Sequence, residues 1–127
     1  NFGTLLHSVF DLSEELDTTL IDMRFVKPLD KALLIDTASK HKLIVTIEEN
    51  SIAGGAGSAV SEFLNSEGMT IPILQLGLPD IFIDHADPKD QLASVGLDAK
   101  GIKASISNRM KILNIDFIKP VLKESNL

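Results

Sequence analysis

The chain has 127 residues, enough for one domain that buries about two thirds of the surface its unfolded form exposes. A net charge of −6, with no Trp, no Tyr and six scattered Phe, argues against a nucleic-acid binder, which needs a basic face and stacking aromatics. Zero Cys excludes disulfides, thiolate metal sites and a Cys nucleophile, and no apolar run approaches the roughly 20 residues that span a bilayer.

In chain order, Asn1-Phe-Gly-Thr4 opens abruptly, without an initiator Met or a signal-peptide pattern, as in a piece cut from something longer. Residues 4–16 then place Leu5, Leu6, Val9, Leu12 and Leu16 at helical spacing. Thr18 to Met23, rich in Thr and Ile, reads as a short strand. Pro28 restricts Lys27 to extended geometry, so Arg24 to Leu29 is a connection. Asp30 caps a helix running to about His41, with Leu33, Leu34 and Ala38 facing inward.

Leu43-Ile-Val-Thr-Ile47 is a continuous apolar run of the kind found in a sheet covered on both faces. Past the turn at Gly54-Gly-Ala-Gly57, residues Ala56, Ala59, Val60, Phe63 and Leu64 form one helical stripe, closed by Gly68 as C′. Ile71 to Leu76 is the next strand, and Ile81-Phe-Ile83 a short final strand that pairs antiparallel. Asp87 and Pro88 open a short helix ending near Gly96. Asp98 caps the last helix, with Leu97 and Ile102 as its hydrophobic staple.

This order predicts an α/β fold of three layers, α/β/α, with a mostly parallel sheet and one antiparallel strand. The strand expected before residue 4 is reduced to Asn1-Phe2, so the first strand reads as truncated. Residues 1–113 form the domain and 114–127 a C-terminal tail, in which Pro120 prevents a continuous helix. A mean hydropathy of +0.18 leans apolar, and a small domain with spare apolar surface often covers it with a neighbour.

Parallel strands gather Asp22 and Arg24 with Glu48, Glu49 and Asn50 on one edge. That edge is either a polar pocket or docking site, or an ion-pair network in which Arg24 meets Asp22 or Glu49 and fixes the loops. The Gly54–Gly57 turn could cradle a phosphate at a helix N-terminus, but it lacks the P-loop ending and GxGxxG spacing. The adjacent carboxylates also make it a poor anion site, and close packing of helix on strand explains it better. His7, His41 and His85 show no metal-ligand spacing. Asp80, Asp84, His85 and Asp87 could hold a cation weakly, although turn-forming Asp accounts for them equally well. No nucleophile elbow is present, and no catalytic, cofactor-binding or metal residue is assigned.

Asn1-Phe-Gly-Thr4, Asp22-Met-Arg-Phe-Val-Lys-Pro-Leu-Asp30, Val45-Thr-Ile-Glu-Glu-Asn50, Gly54-Gly-Ala-Gly-Ser58, Gly77-Leu-Pro-Asp80 and Gly96-Leu-Asp-Ala99 occur in that order. Together they resemble the C-terminal, transketolase-like domain of 1-deoxy-D-xylulose-5-phosphate synthases, over about residues 1–113. The resemblance implies a cytoplasmic transferase using thiamine diphosphate and Mg²⁺. It joins pyruvate to glyceraldehyde 3-phosphate, releases CO₂, and supplies a precursor of isoprenoids, thiamine and pyridoxal phosphate. It further implies that metal, diphosphate and ring-activating groups sit on the other two domains of the same chain. This domain would then support architecture and a homodimer, and be inactive alone, with no nucleic-acid or membrane partner. A regulatory module binding a small effector at the charged edge is an alternative. The equivalent domain of a transketolase or a 2-oxoacid dehydrogenase is another.

Overall fold

The computed structural model describes residues 1–117, which run as α1 (Leu6–Glu15), α2 (Lys31–Lys40), β1 (Ile44–Ser51), α3 (Ala56–Ser66), β2 (Ile73–Leu78), α4 (Pro88–Ser94) and α5 (Ala99–Ile112). β1 and β2 pair in parallel, with Ile44 opposite Ile73 and Ile47 opposite Leu76. Alternate side chains of a strand face opposite sides, which divides the core in two. Ile44 packs with Leu34 and Ala38 of α2 and with Val60 and Leu64 of α3. Ile47 packs on the other side with Val9 and Leu12 of α1 and Ile102 and Ile106 of α5. Helices therefore cover both faces of a parallel sheet, as the apolar run at 43–47 requires. The three layers are those expected from the sequence.

The helix ends follow their capping residues. Asp30 accepts the Leu33 N–H at 3.0 Å, Asp87 the Lys89 N–H at 3.0 Å, and Asp98 the Gly101 N–H at 2.8 Å. Each satisfies a donor that the first turn leaves without an intrahelical partner. Leu97 and Ile102 are both buried at the start of α5, where a hydrophobic staple places them. At the end of α3, Gly68 donates to the Asn65 carbonyl and Met69 to the Leu64 carbonyl, closing the helix with a C′ glycine.

Two expected strands do not form among the described residues. Residues 18–23 are extended, but their ladder contacts are those with Asn1 alone. The Asn1 ammonium donates to the Ile21 carbonyl at 2.8 Å, and the Met23 N–H to the Asn1 carbonyl at 2.9 Å. One neighbouring residue cannot sustain a ladder. Residues 81–83 also fail to pair antiparallel. The Ile81 N–H closes a tight turn on the Pro79 carbonyl at 2.9 Å, leaving Ile81 and Phe82 in solvent beyond the sheet. Where the sequence suggests the end of a first strand, the structure has a single parallel bridge between Phe2 and Glu48, in which the Phe2 N–H donates to the Ile47 carbonyl at 2.9 Å. Residues 118–127, most of the expected tail, lie outside the described residues.

Burial lowers the pKa of the Asn1 ammonium below the 8.0 of a free α-amino group, against a smaller opposing pull from Asp22. The unfolded chain therefore holds this proton to higher pH than the folded one, and stability rises as pH climbs towards 8. Urea unfolding across pH 6.5–8.5 should show that rise, and N-terminal acetylation should remove it. A rise that persists after acetylation assigns it to another group.

Candidate functional site

The edge at the carboxyl ends of the strands is built around one buried acid. The parity that turns Ile44 toward α3 also turns Thr46 and Glu48 toward it. Gly54, at a φ of +73°, makes the left-handed turn that brings the chain back over this face, and Gly55 is the N-cap of α3. Glu48 is only 4% exposed. Its Oε2 accepts the Ala56 N–H at 2.8 Å and its Oε1 the Gly57 N–H at 2.9 Å. These belong to the first turn of α3, whose N–H groups lack intrahelical acceptors and carry partial positive charge.

Glycine is demanded here by proximity. A Cβ on Gly55 would lie 2.6 Å from both Glu48 carboxylate oxygens, and one on Gly57 would lie 2.5 Å from Thr46 Oγ1. Close packing of helix on strand therefore accounts for the turn, as expected. The turn is nonetheless an anion site, and the anion is the chain's own. Sequence reasoning counted the neighbouring carboxylates as repelling an anion. Stepping two residues at a time from Ile44 to Glu48 is the signal that could have found this role.

The other edge residues form separate arrangements. Arg24 Nε lies 3.3 Å from Asp22 Oδ2, with the arginine side chain 76% exposed and its backbone at a φ of +59°. Glu49 points the opposite way from Glu48 and accepts the Thr4 hydroxyl at 2.5 Å. Asn50 is exposed near the end of β1, where its carbonyl lies against Gly77. Among the described residues, no hydrogen bond or ion pair joins the Asp22–Arg24 pair to Glu48, Glu49 or Asn50.

The histidines stand apart from this edge. His41 Nδ1 donates to the Thr37 carbonyl at 2.7 Å, since a carbonyl only accepts, and Nε2 lies 2.9 Å from the Thr19 hydroxyl. It ties the end of α2 to the extended segment 18–23. His7 and His85 are exposed. Among the described residues no three His, Asp or Glu side chains are placed to share a metal ion, and Asp87 is engaged in capping α4. No described helix is long and apolar enough to cross a membrane.

Residues 1–102 match the family model described as "Transketolase, C-terminal domain". The 1-deoxy-D-xylulose-5-phosphate synthase of Pseudomonas entomophila is 54% identical over 114 residues, which are 90% of this chain and 18% of that protein. The synthase of Cellvibrio japonicus is 56% identical over 112 residues, 88% of this chain and 18% of that protein. The chain thus spans less than a fifth of the curated relatives it matches. Among solved structures, "Split gene transketolase, inactive beta4 tetramer" superposes with a TM-score of 0.77 at 31% identity, covering 87% of this chain and 37% of that one.

Helix propensity alone makes Gly→Ala inside a helix stabilising by up to ~1 kcal/mol. At Gly57 the contact with Thr46 reverses the sign, and Gly57→Ala should destabilise by about 1–3 kcal/mol, the usual cost of overpacking. The Gly57→Ala/Thr46→Ala pair should recover part of that loss in urea unfolding. A Gly57→Ala single variant as stable as the parent would show that the approach of α3 to β1 is looser than described.

Proposed function

The chain belongs to the transketolase C-terminal domain family, represented by the matching part of 1-deoxy-D-xylulose-5-phosphate synthases, and we propose that it serves such an enzyme as a scaffold. In this reading the whole protein is a cytoplasmic transferase that joins pyruvate to glyceraldehyde 3-phosphate with loss of CO₂. It yields 1-deoxy-D-xylulose 5-phosphate, a precursor for isoprenoids, thiamine and pyridoxal phosphate. The single observation that carries the reading is the match to synthases over nine-tenths of the chain, at 54–56% identity against 31% for the transketolase structure.

Thiamine diphosphate and Mg²⁺ belong to this reading as cofactors of the whole enzyme, and the residues present do not fit them. The sequence has no Gly-Asp-Gly metal motif. The one glycine turn that could face a diphosphate has its Ala56 and Gly57 donors engaged by Glu48. No step of the reaction is therefore routed through this chain. Its contribution is architectural: it presents surfaces to the other two domains and to the second subunit of a homodimer. The solvent-facing apolar side chains Phe10, Phe25, Ile81 and Phe82 support that role, since such groups are commonly covered in an assembly. The Asp22–Arg24 and Thr4–Glu49 contacts hold the loops of the strand-end edge.

A chimera tests this. The matching 114 residues of the chain, set in place of the corresponding segment of the Pseudomonas entomophila synthase, should leave turnover within about tenfold of the parent, a barrier change of about 1.4 kcal/mol. The isolated chain should bind no thiamine diphosphate with Mg²⁺ in calorimetry. A folded, dimeric but inactive chimera contradicts the proposal, as does tight cofactor binding by the isolated chain.

A further inference from the structure

The start of α3 holds the Glu48 carboxylate as a protein holds a ligand. Both oxygens are bound, Oε2 by the Ala56 N–H at 2.8 Å and Oε1 by the Gly57 N–H at 2.9 Å, in a place nearly sealed from water. Among the described residues no Lys or Arg forms an ion pair with it. The charge is met by the helix end alone, which is how a helix N-terminus receives an anion.

Neighbouring groups give the seat a shape. A Cβ on Gly55 would come within 2.6 Å of both carboxylate oxygens, and one on Gly77 within 3.2 Å of Glu48 Cγ. Backbone therefore closes on the carboxylate at one glycine and on its stem at the other. A third oxygen on the Gly55 side would meet the glycine itself, so the seat suits a flat, two-oxygen anion better than a tetrahedral one. The Thr46 hydroxyl stands beside it. Thr46 is 4% exposed, its Oγ1 has no hydrogen-bond partner among the described residues, and that oxygen lies 2.5 Å from where a Cβ on Gly57 would be. A buried hydroxyl without a partner is unfavourable. Thr46 and Glu48 leave β1 on the same face, yet Glu48, tethered to that strand, gives both oxygens to α3 and neither to Thr46.

We propose that the start of α3 is a carboxylate-binding site, which the chain fills with Glu48 as a tethered ligand and which takes a free monocarboxylate when that side chain is cut back. Ala56 and Gly57 supply two backbone donors. Thr46 supplies a third to an anion that the strand does not tether, and Gly55 selects for flatness. The change Glu48→Ala removes one methylene and one carboxylate, which together match an acetate ion in size. The site draws on no other domain, so turnover does not enter its test.

The test titrates sodium acetate into the 127-residue Glu48→Ala chain near neutral pH, with sodium chloride holding the ionic strength constant. The Ala56 and Gly57 amide resonances should shift to saturation, with the Gly101 amide, bonded to Asp98, as an unmoved control. Between about 20 and 200 mM acetate the unfolding constant in urea should fall about threefold, as mass action gives for a ligand of the folded form with a Kd of roughly 50 mM. The parent chain and Glu48→Gln, whose seats are occupied, should show neither change. Adding Thr46→Val to Glu48→Ala should weaken the response. Where Glu48→Ala folds incompletely, trimethylamine N-oxide restores the fold without supplying an anion. An acetate response no larger than the parent's overturns the proposal, and so does an equal response to sulfate, since the seat then ignores shape. A response that Thr46→Val leaves unchanged overturns the three-donor site. A Glu48→Ala chain that stays unfolded with both osmolyte and acetate overturns it as well, because the seat then exists only around its tethered acid.

Discussion

Glu48 holds the β1–α3 junction, and the rest of the carboxyl-end edge is arranged around it. Burying a carboxylate carries a large desolvation cost unless its oxygens are satisfied. Here both oxygens accept backbone N–H groups at the positive end of α3, so the group is neutralised by geometry rather than by a basic partner. The consequence runs back into the sequence. Gly55 has no room for a Cβ because the Ser51 carbonyl and the Glu48 carboxylate stand where one would go, and at Gly57 Thr46 does the same. The same contact consumes the donors with which a glycine-rich turn could hold a phosphate. A turn that looks like a ligand site is here a fastening of strand to helix.

That fastening is compatible with the scaffold role proposed above. Relatives more than five times the length of the matched segment carry the synthase name, and the described residues here form a sheet with helices on both faces and several exposed apolar side chains. Among the described residues the sheet has two strands. β1 pairs with β2 from Ile44 to Ile47 and, after a shift of register, again at Ser51, and among the described residues its other side meets Phe2. Among the described residues, the two half-cores, one beneath α1 and α5 and one beneath α2 and α3, both line a groove of about 370 Å³.

Much of this architecture was legible in the residues. Asp30, Asp87 and Asp98 mark helix starts because a short acidic side chain reaches the free N–H groups of the first turn. The uninterrupted run at Leu43–Ile47 announced a sheet covered on both faces. Local pattern failed where pairing decided the outcome. Residues 18–23 have strand composition, yet a strand exists only if a neighbour runs beside it, and here the neighbour is one residue long. Ile81-Phe-Ile83 is equally strand-like in composition, but the turn on Pro79 carries it beyond the edge. The charged residues read as one edge of strand ends, whereas Asp22 and Arg24 pair with each other beside a segment that forms no strand and Glu48 turns to the start of α3. Which acid turns inward was written only in the alternation from Ile44 to Glu48, a pattern hidden by the two adjacent glutamates.

The stability of Glu48→Ala, compared with the neighbouring Glu49→Ala in urea at one pH, tests the central interaction most directly. Removing the Glu48 carboxylate leaves two buried N–H groups without acceptors and should cost about 2–4 kcal/mol, while loss of the exposed Glu49 contact should cost no more than about 0.5 kcal/mol. Equal, small losses for the two variants would contradict the account, since the turn at Gly54–Gly57 would then stand without its acid.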